Sequence, residues 1–314
     1  LTQEALAERA GISTRTIADL ERGVIRAPRR DTLDLLVEAL LLTDDECQEW
    51  RQLRRELSMR TARPEPHSSL PVPPNELIGR DHEVNALIDL LLQPSTRLVT
   101  ITGPGGVGKT RIALAVGHAL WTAFPDGVYF IQLAAVREPD LLLPTIALHF
   151  GIRDGDPEVL MQRLMRFLAQ RNMLLILDNV EQLRSAAMQL ALLLAGASSL
   201  NMLATSRAGL RISAEHEFPV FPLQLPDSAN TGTMTDLQRY PAIELFMQRA
   251  RGVRPDFALT ETNVAAVTGI CSYLEGLPLA IELAAARVKV LSPEQIIPKL
   301  ADRLEFLTDG LVDA

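Results

Sequence analysis

The chain has 314 residues, of which 47% are apolar and 22% charged, enough for two or three domains with buried cores. A net charge of −8 excludes nucleic-acid binding by bulk positive charge, so any such contact must come from a local surface. No apolar run reaches the length of a membrane span or has the form of a signal peptide, and the two cysteines and five histidines show no disulfide or metal-ligand spacing; the expected setting is the cytoplasm, with no membrane partner.

Residues 1–60 are helix-rich. Leu6, Ala10, Ile12, Ile17 and Leu20 supply the apolar contacts of two short helices joined at Gly11, and Ser13 stands where the second helix needs an N-cap. A further helix is expected over 32–42, followed by a capping box at Thr43, Asp44, Asp45 and Glu46. The run from Leu1 to Gly23 is similar to the Xre or lambda-repressor helix-turn-helix family, over residues 1 to about 43. That resemblance implies DNA as a partner. On it, Gln3 positions a phosphate, Thr14, Arg15 and Asp19 face base edges with Ser13 in the same set, and Arg15 is the candidate to read guanine. Arg26, Arg29 and Arg30 are expected on the DNA backbone, although a fold of this kind also serves protein contacts. The family's first helix would precede Leu1, and a start inside a helical pattern without methionine reads as a piece of a longer protein.

Residues 61–75 hold Pro64, Pro66, Pro71, Pro73 and Pro74 with Ser68 and Ser69, the composition of a linker. Over 76–226, β-type runs at 98–102, 128–133, 174–178, 202–205 and 218–221 alternate with helical ones, which implies a parallel sheet covered by helices. Gly103-Pro104-Gly105-Gly106-Val107-Gly108-Lys109-Thr110 has the G-x-x-x-x-G-K-[ST] spacing of a P-loop, placed between a strand and a helix. Gly103, Gly105, Gly106 and Gly108 let the backbone turn its N–H groups around a phosphate, at the positive end of the following helix. Val107 and Arg111 belong to the same nucleotide-binding stretch, Lys109 reaches the β- and γ-phosphates, and Thr110 holds Mg²⁺.

The glycines also satisfy G-x-G-x-x-G, so a dinucleotide-binding Rossmann turn has to be weighed. The next β-type run ends without an acid for the ribose hydroxyls, and Lys109-Thr110 has no role in such a turn, which favours the P-loop. Asp178 closes the apolar run 173–178 as a Walker B element and is the second Mg²⁺ ligand. Asn179 follows it, where many P-loop ATPases carry a carboxylate; asparagine cannot accept a proton from water. Glu181 reads as a helix N-terminal acid, with a substitute role as the alternative. A polar stretch at 227–236 leads to a helical bundle over 237–310. The expected fold is thus multidomain: an all-α helix-turn-helix domain, an α/β P-loop NTPase domain with a parallel sheet, and an α-helical bundle domain.

Leu77-Ile78-Gly79-Arg80, the P-loop, Leu177-Asp178-Asn179, Thr205-Ser206-Arg207 and Gly276-Leu277-Pro278-Leu279-Ala280, in that order, resemble the NB-ARC class of STAND signalling ATPases, most closely those of bacterial transcriptional regulators. The resemblance covers about 76–310. It implies that Ile78, Gly79 and Arg80 contact adenine, that Pro278 packs on the nucleotide, and that Arg207 senses the γ-phosphate, acting there with Lys109 and Asp178. It also implies ATP or ADP with Mg²⁺ as cofactors and a slow ATPase used as a switch. ADP would hold the α/β and helical domains closed, ATP exchange after an effector signal would permit self-association, and the effector would act through a C-terminal region beyond this chain. The rivals are a rapid-turnover ATP-driven motor and a defence or scaffold protein whose helix-turn-helix docks protein.

Overall fold

The computed structural model describes residues 2–22, 32, 35, 36, 39, 40, 70–153, 155–226 and 233–302. The chain divides into two compact units, Leu1–Glu65 and Pro66–Ala314. In the first, α1 (Gln3–Ala10) begins at Thr2, whose hydroxyl accepts the Ala5 N–H, and ends at Gly11 in the left-handed region. Helix α2 (Thr14–Glu21) begins at Ser13, whose hydroxyl accepts the Thr16 N–H. Ala7, Ala10 and Ile17 are buried with Leu36 and Ala39, and Leu6, Ile12 and Leu20 pack around them. The described residues of the helix expected over 32–42 are helical. Residues 43–46 and Arg26, Arg29 and Arg30 lie outside the described residues.

The second unit opens with α3 (Asp81–Leu91) and then alternates strands and helices: β1 (Leu98–Thr102), α4 (Lys109–Ala119), β2 (Val128–Gln132), α5 (Leu142–His149), α6 (Pro157–Leu168) and β3 (Met173–Asp178). A 3₁₀ segment (Val180–Ala186), α7 (Ala187–Gly196), β4 (Leu200–Ser206) and β5 (Glu215–Pro219) complete the α/β part. The strands form one parallel sheet in the order β2-β3-β4-β1-β5. Strands β1 and β3 are buried along their whole length because helices cover both faces, which is why they read as continuous apolar runs. Alternate residues still face opposite ways: Leu174 and Ile176 meet Ile112 and Val116 of α4, whereas Leu175 and Leu177 belong to the core under Leu160 and Leu164 of α6.

Two sequence expectations shift. The fifth strand covers Glu215–Pro219 and not 218–221: it is an edge strand with exposed polar positions, so only its apolar end was visible as a β-type run. Pro219 cannot donate to the ladder, and Val220 makes the last backbone bond, to the Thr102 carbonyl. The proline-rich stretch is also not linker throughout. Leu70 is buried in the core beside Gly117, and the Pro71 carbonyl lies 3.2 Å from His118 Nε2.

Beyond residue 232 come α8 (Met234–Gln238), α9 (Pro241–Val253), α10 (Val264–Tyr273), α11 (Pro278–Ala286) and α12 (Pro293–Asp302). Proline opens α9 and α11, where its missing N–H is harmless. Phe246 and Ile243 of α9 pack on Ile281, Ala284 and Ala285 of α11. Cys271 is buried among them, and burial pushes its thiol up to about 12, as a core cysteine should behave.

Two joints tie this bundle and α3 to the sheet. Gly276, in the left-handed region after α10, accepts the Leu223 N–H at 2.9 Å, and a Cβ there would sit 2.3 Å from the Leu223 carbonyl oxygen. Arg80, before α3, is 4% exposed and ion-paired with Glu83, and it donates to the carbonyls of Val107 and Phe221. Denaturant unfolding of the nucleotide-free chain tests both. Gly276→Ala is expected to destabilise by about 2 kcal/mol or more, since it adds left-handed strain to a backbone clash. Gly105→Ala, with open space where its Cβ would stand, should change stability by less than about 0.5 kcal/mol. Arg80→Met leaves Glu83 and two carbonyls without their donor and should cost about 3 kcal/mol.

Candidate functional site

The P-loop runs from the C-terminal end of β1 into α4. Lys109 lies back across it, its Nζ donating to the carbonyls of Gly103 and Pro104 at 2.9 Å each. Burial lowers the Lys109 pKa, the Glu181 carboxylate works against that, Arg207 adds to the lowering, and Asp178 opposes it. The loop is open where a phosphate would come: a Cβ on Gly105 or Gly108 would meet nothing within 4 Å. Backbone N–H groups at the head of α4 and a desolvated ammonium suit an anion of the size of a nucleotide phosphate.

Strand β4 separates β1 from β3, and its end completes the site. The Thr110 hydroxyl donates to Asp178 Oδ1 at 2.7 Å, and the Thr205 hydroxyl donates to the same oxygen at 2.6 Å. The Asn179 N–H in turn donates to Thr205 Oγ1 at 2.9 Å. A hydroxyl and a carboxylate are the hard oxygen donors that Mg²⁺ takes. Adjacent oxygens around an octahedral Mg²⁺ with bonds of about 2.0–2.1 Å stand about 2.9 Å apart, close to the separation of Thr110 Oγ1 and Asp178 Oδ1. The residues fit the ion, which would neutralise phosphate charge beside Lys109. This sheet also removes the Rossmann alternative: there β1 neighbours β2, whereas here it neighbours β4 and β5, with β2 at the far edge.

The remaining expected nucleotide contacts divide. Gly79, with φ +62, has no room for a Cβ because Pro241 of α9 occupies it, and Ile78 packs against the bundle core. Arg80 spends its guanidinium on Glu83, Val107 and Phe221, so it braces the P-loop from behind. Arg111 donates to the carbonyls of Asn75 and Glu76 and reaches Glu282 of α11, which also pairs with Arg249. Pro278 starts α11, and the next residue closes on the P-loop itself: the Leu279 N–H donates to the Gly106 carbonyl at 3.2 Å, with its side chain against the Gly106 α-carbon. Arg207 is 73% exposed and lies 3.4 Å from Glu181; together with Gln182 and Ala208 they line a cleft of about 390 Å³.

Thr205, Leu279 and Glu282 carry contacts that sequence reasoning left without a role. Thr205 stood inside the Thr-Ser-Arg run, where a hydroxyl before the arginine was a readable signal; the other two depend on a tertiary approach that no local pattern encodes. Asn179 has a backbone reason for its identity: φ +62 places it in the left-handed region, which asparagine tolerates better than glutamate.

In the first unit, Thr14 and Arg15 are exposed at the start of α2, and Asp19 lies further along that helix. The Gln3 amide donates to the Glu21 carboxylate at 2.5 Å, and the Ser13 hydroxyl is engaged with Thr16. Among the described residues no cluster of three or more His, Cys, Asp or Glu side chains could hold a metal, and no helix is long and apolar enough to cross a membrane.

A helix-turn-helix family model matches residues 1–46, and an AAA domain model matches residues 93–213. A protein of Mycobacterium tuberculosis named as a putative HTH-type transcriptional regulator is 38% identical over 221 residues, 70% of this chain and 23% of that protein. An uncharacterized protein of the same species is 36% identical over 238 residues, 76% of this chain and 57% of that protein. The regulatory protein AfsR of Streptomyces coelicolor is 30% identical over 330 residues, 98% of this chain and 30% of AfsR. The chain therefore spans a quarter to a little over half of the length of these relatives. Sheet, motifs and matches agree: the chain carries a helix-turn-helix domain over residues 1–46 and, over residues 93–213, an AAA domain built on a P-loop.

Proposed function

We propose that the chain is the switch part of a cytoplasmic transcriptional regulator, in which ATP or ADP with Mg²⁺ at the P-loop governs a DNA-binding helix-turn-helix. The observation that carries the reading is the seam between α11 and the P-loop. The Leu279 N–H bonds the Gly106 carbonyl, and Glu282 on the same helix reaches Arg111 at the head of α4. A nucleotide on that loop is therefore held beside the helical bundle, and its exchange requires the bundle to shift. In such a device Lys109 meets the β- and γ-phosphates, Thr110 and Asp178 hold Mg²⁺, and Arg207, exposed and lightly paired, turns to a γ-phosphate. Asn179, and not a carboxylate, directly follows Asp178, which suits slow turnover better than a motor. The ATP state self-associates, and the signal reaches the bundle from a region of the regulator beyond this chain. The relatives named as regulators support this reading.

Calorimetry on the folded chain tests the site. ADP and ATP should bind in Mg²⁺, and Lys109→Ala should abolish binding of both; unchanged affinity overturns the assignment. The unaltered protein is expected to turn over well below the ordinary enzyme median of about 10 s⁻¹. DNA binding is read by selecting fragments from a random duplex pool with the full chain. Arg15→Ala should then cost about 1–3 kcal/mol at the selected site and little at random DNA. Failure to enrich any sequence favours a protein-docking role for α1 and α2.

A further inference from the structure

Asn179 leaves the position after Asp178 without a carboxylate, yet another acid stands two residues on and lines a cleft with Arg207. The left-handed turn at Asn179 carries the chain into the 3₁₀ segment, and Glu181 stands in its first turn. Glu181 Oε1 is 3.4 Å from Arg207 Nε, while Oε2 is buried and accepts no hydrogen bond among the described residues. A buried carboxylate oxygen without a donor is costly and marks a place where a donor is normally supplied. Both side chains line the cleft, so a water or a ligand can be that donor. Arg207 follows directly on β4, whose Thr205 hydroxyl donates to Asp178 Oδ1, so its pair with Glu181 stands at the strand end that carries the partner of Asp178.

We propose that Glu181 orients the water that attacks the γ-phosphate, and that its ion pair with Arg207 restrains it until a triphosphate draws Arg207 away. The inference rests on the nucleotide reading above. The water oxygen forms a bond to the γ-phosphorus as the bond from that phosphorus to the β–γ bridging oxygen breaks. ADP leaves with the electron pair, and one water proton passes to the Glu181 carboxylate and on to solvent. The same carboxylate thus serves in two roles: it competes with the γ-phosphate for Arg207 before triphosphate engages, and it acts on water afterwards. An exposed arginine suits the exchange, because releasing it from Glu181 is cheap in water.

The full chain and three variants test this by two readouts: single-turnover hydrolysis of radiolabelled ATP, and calorimetric affinity for ADP and for a non-hydrolysable ATP analogue. Glu181→Gln should slow hydrolysis by about 10²-fold or more while nucleotide still binds. It should also raise the affinity ratio of analogue to ADP by about two- to fivefold, because Arg207 no longer has to leave a carboxylate. In the Arg207→Ala background, Glu181→Gln should leave that ratio unchanged, since no latch remains to be released. Glu181→Asp keeps the charge and withdraws the oxygens, so it should slow hydrolysis with the ratio near that of the unaltered chain. Wild-type hydrolysis by Glu181→Gln, an equal rise in the ratio with and without Arg207, or an unaltered chain that binds ATP and leaves it intact each overturns the inference alone. Absence of nucleotide binding by the unaltered chain overturns the function proposed above as well.

Discussion

One buried carboxylate organises the α/β part of this chain. Asp178 is 4% exposed at the end of β3, and a charge so placed must be paired or hydrogen-bonded. It meets that demand with hydroxyls from two other elements, Thr110 at the head of α4 and Thr205 at the end of β4. Because β4 lies between β1 and β3, one oxygen atom holds the P-loop helix and both strands to a common register. The Asn179 N–H on Thr205 extends the same chain of donors into the turn that follows, and so sets where the 3₁₀ segment and Glu181 begin. A cation held by Thr110 and Asp178 would replace one hydrogen bond and leave the Thr205 bond to keep the strand ends aligned.

The second constraint is close approach at the seam between sheet and bundle, and glycine permits it. At Gly79 the space of a side chain is filled by Pro241, and at Gly276 by the Leu223 carbonyl. These contacts bring the first turns of α9 and α11 to the edge of the P-loop, where Leu279 and Glu282 act. The bundle therefore contacts the P-loop directly, through the Leu279 N–H on the Gly106 carbonyl.

The sheet was legible because parallel strands buried on both faces read as apolar runs, and 98–102 coincides with β1. The edge strand was not, since its residues Glu215, His216 and Glu217 are polar, the last two exposed, and only pairing with β1 makes them a strand. Motif spacing pointed to Lys109, Thr110 and Asp178, and the structure brings the Thr110 hydroxyl to the Asp178 carboxylate. Spacing could not see that Leu70 belongs to the core, because prolines and serines around it carry the composition of a linker. In the amino-terminal unit, Gly11 and Ser13 were legible for a local reason: a left-handed C-cap and an N-cap hydroxyl are short-range devices.

Arg80 and Arg207 show most plainly what sequence order leaves open. Arg80 stands just before α3 and Arg207 just after β4, and both carry the same charge. Arg80 is buried with its donors committed to Glu83, Val107 and Phe221, so moving it would strand a carboxylate and two carbonyls. Such a residue is a fixed brace. Arg207 is mostly in water, where breaking its contact with Glu181 costs little, and a charge free to change partners at low cost is what distinguishing two phosphates from three requires. Burial, which depends on which strand end meets which helix, thus divides one residue type into a fixed scaffold and an exposed side chain that the proposal above makes a sensor.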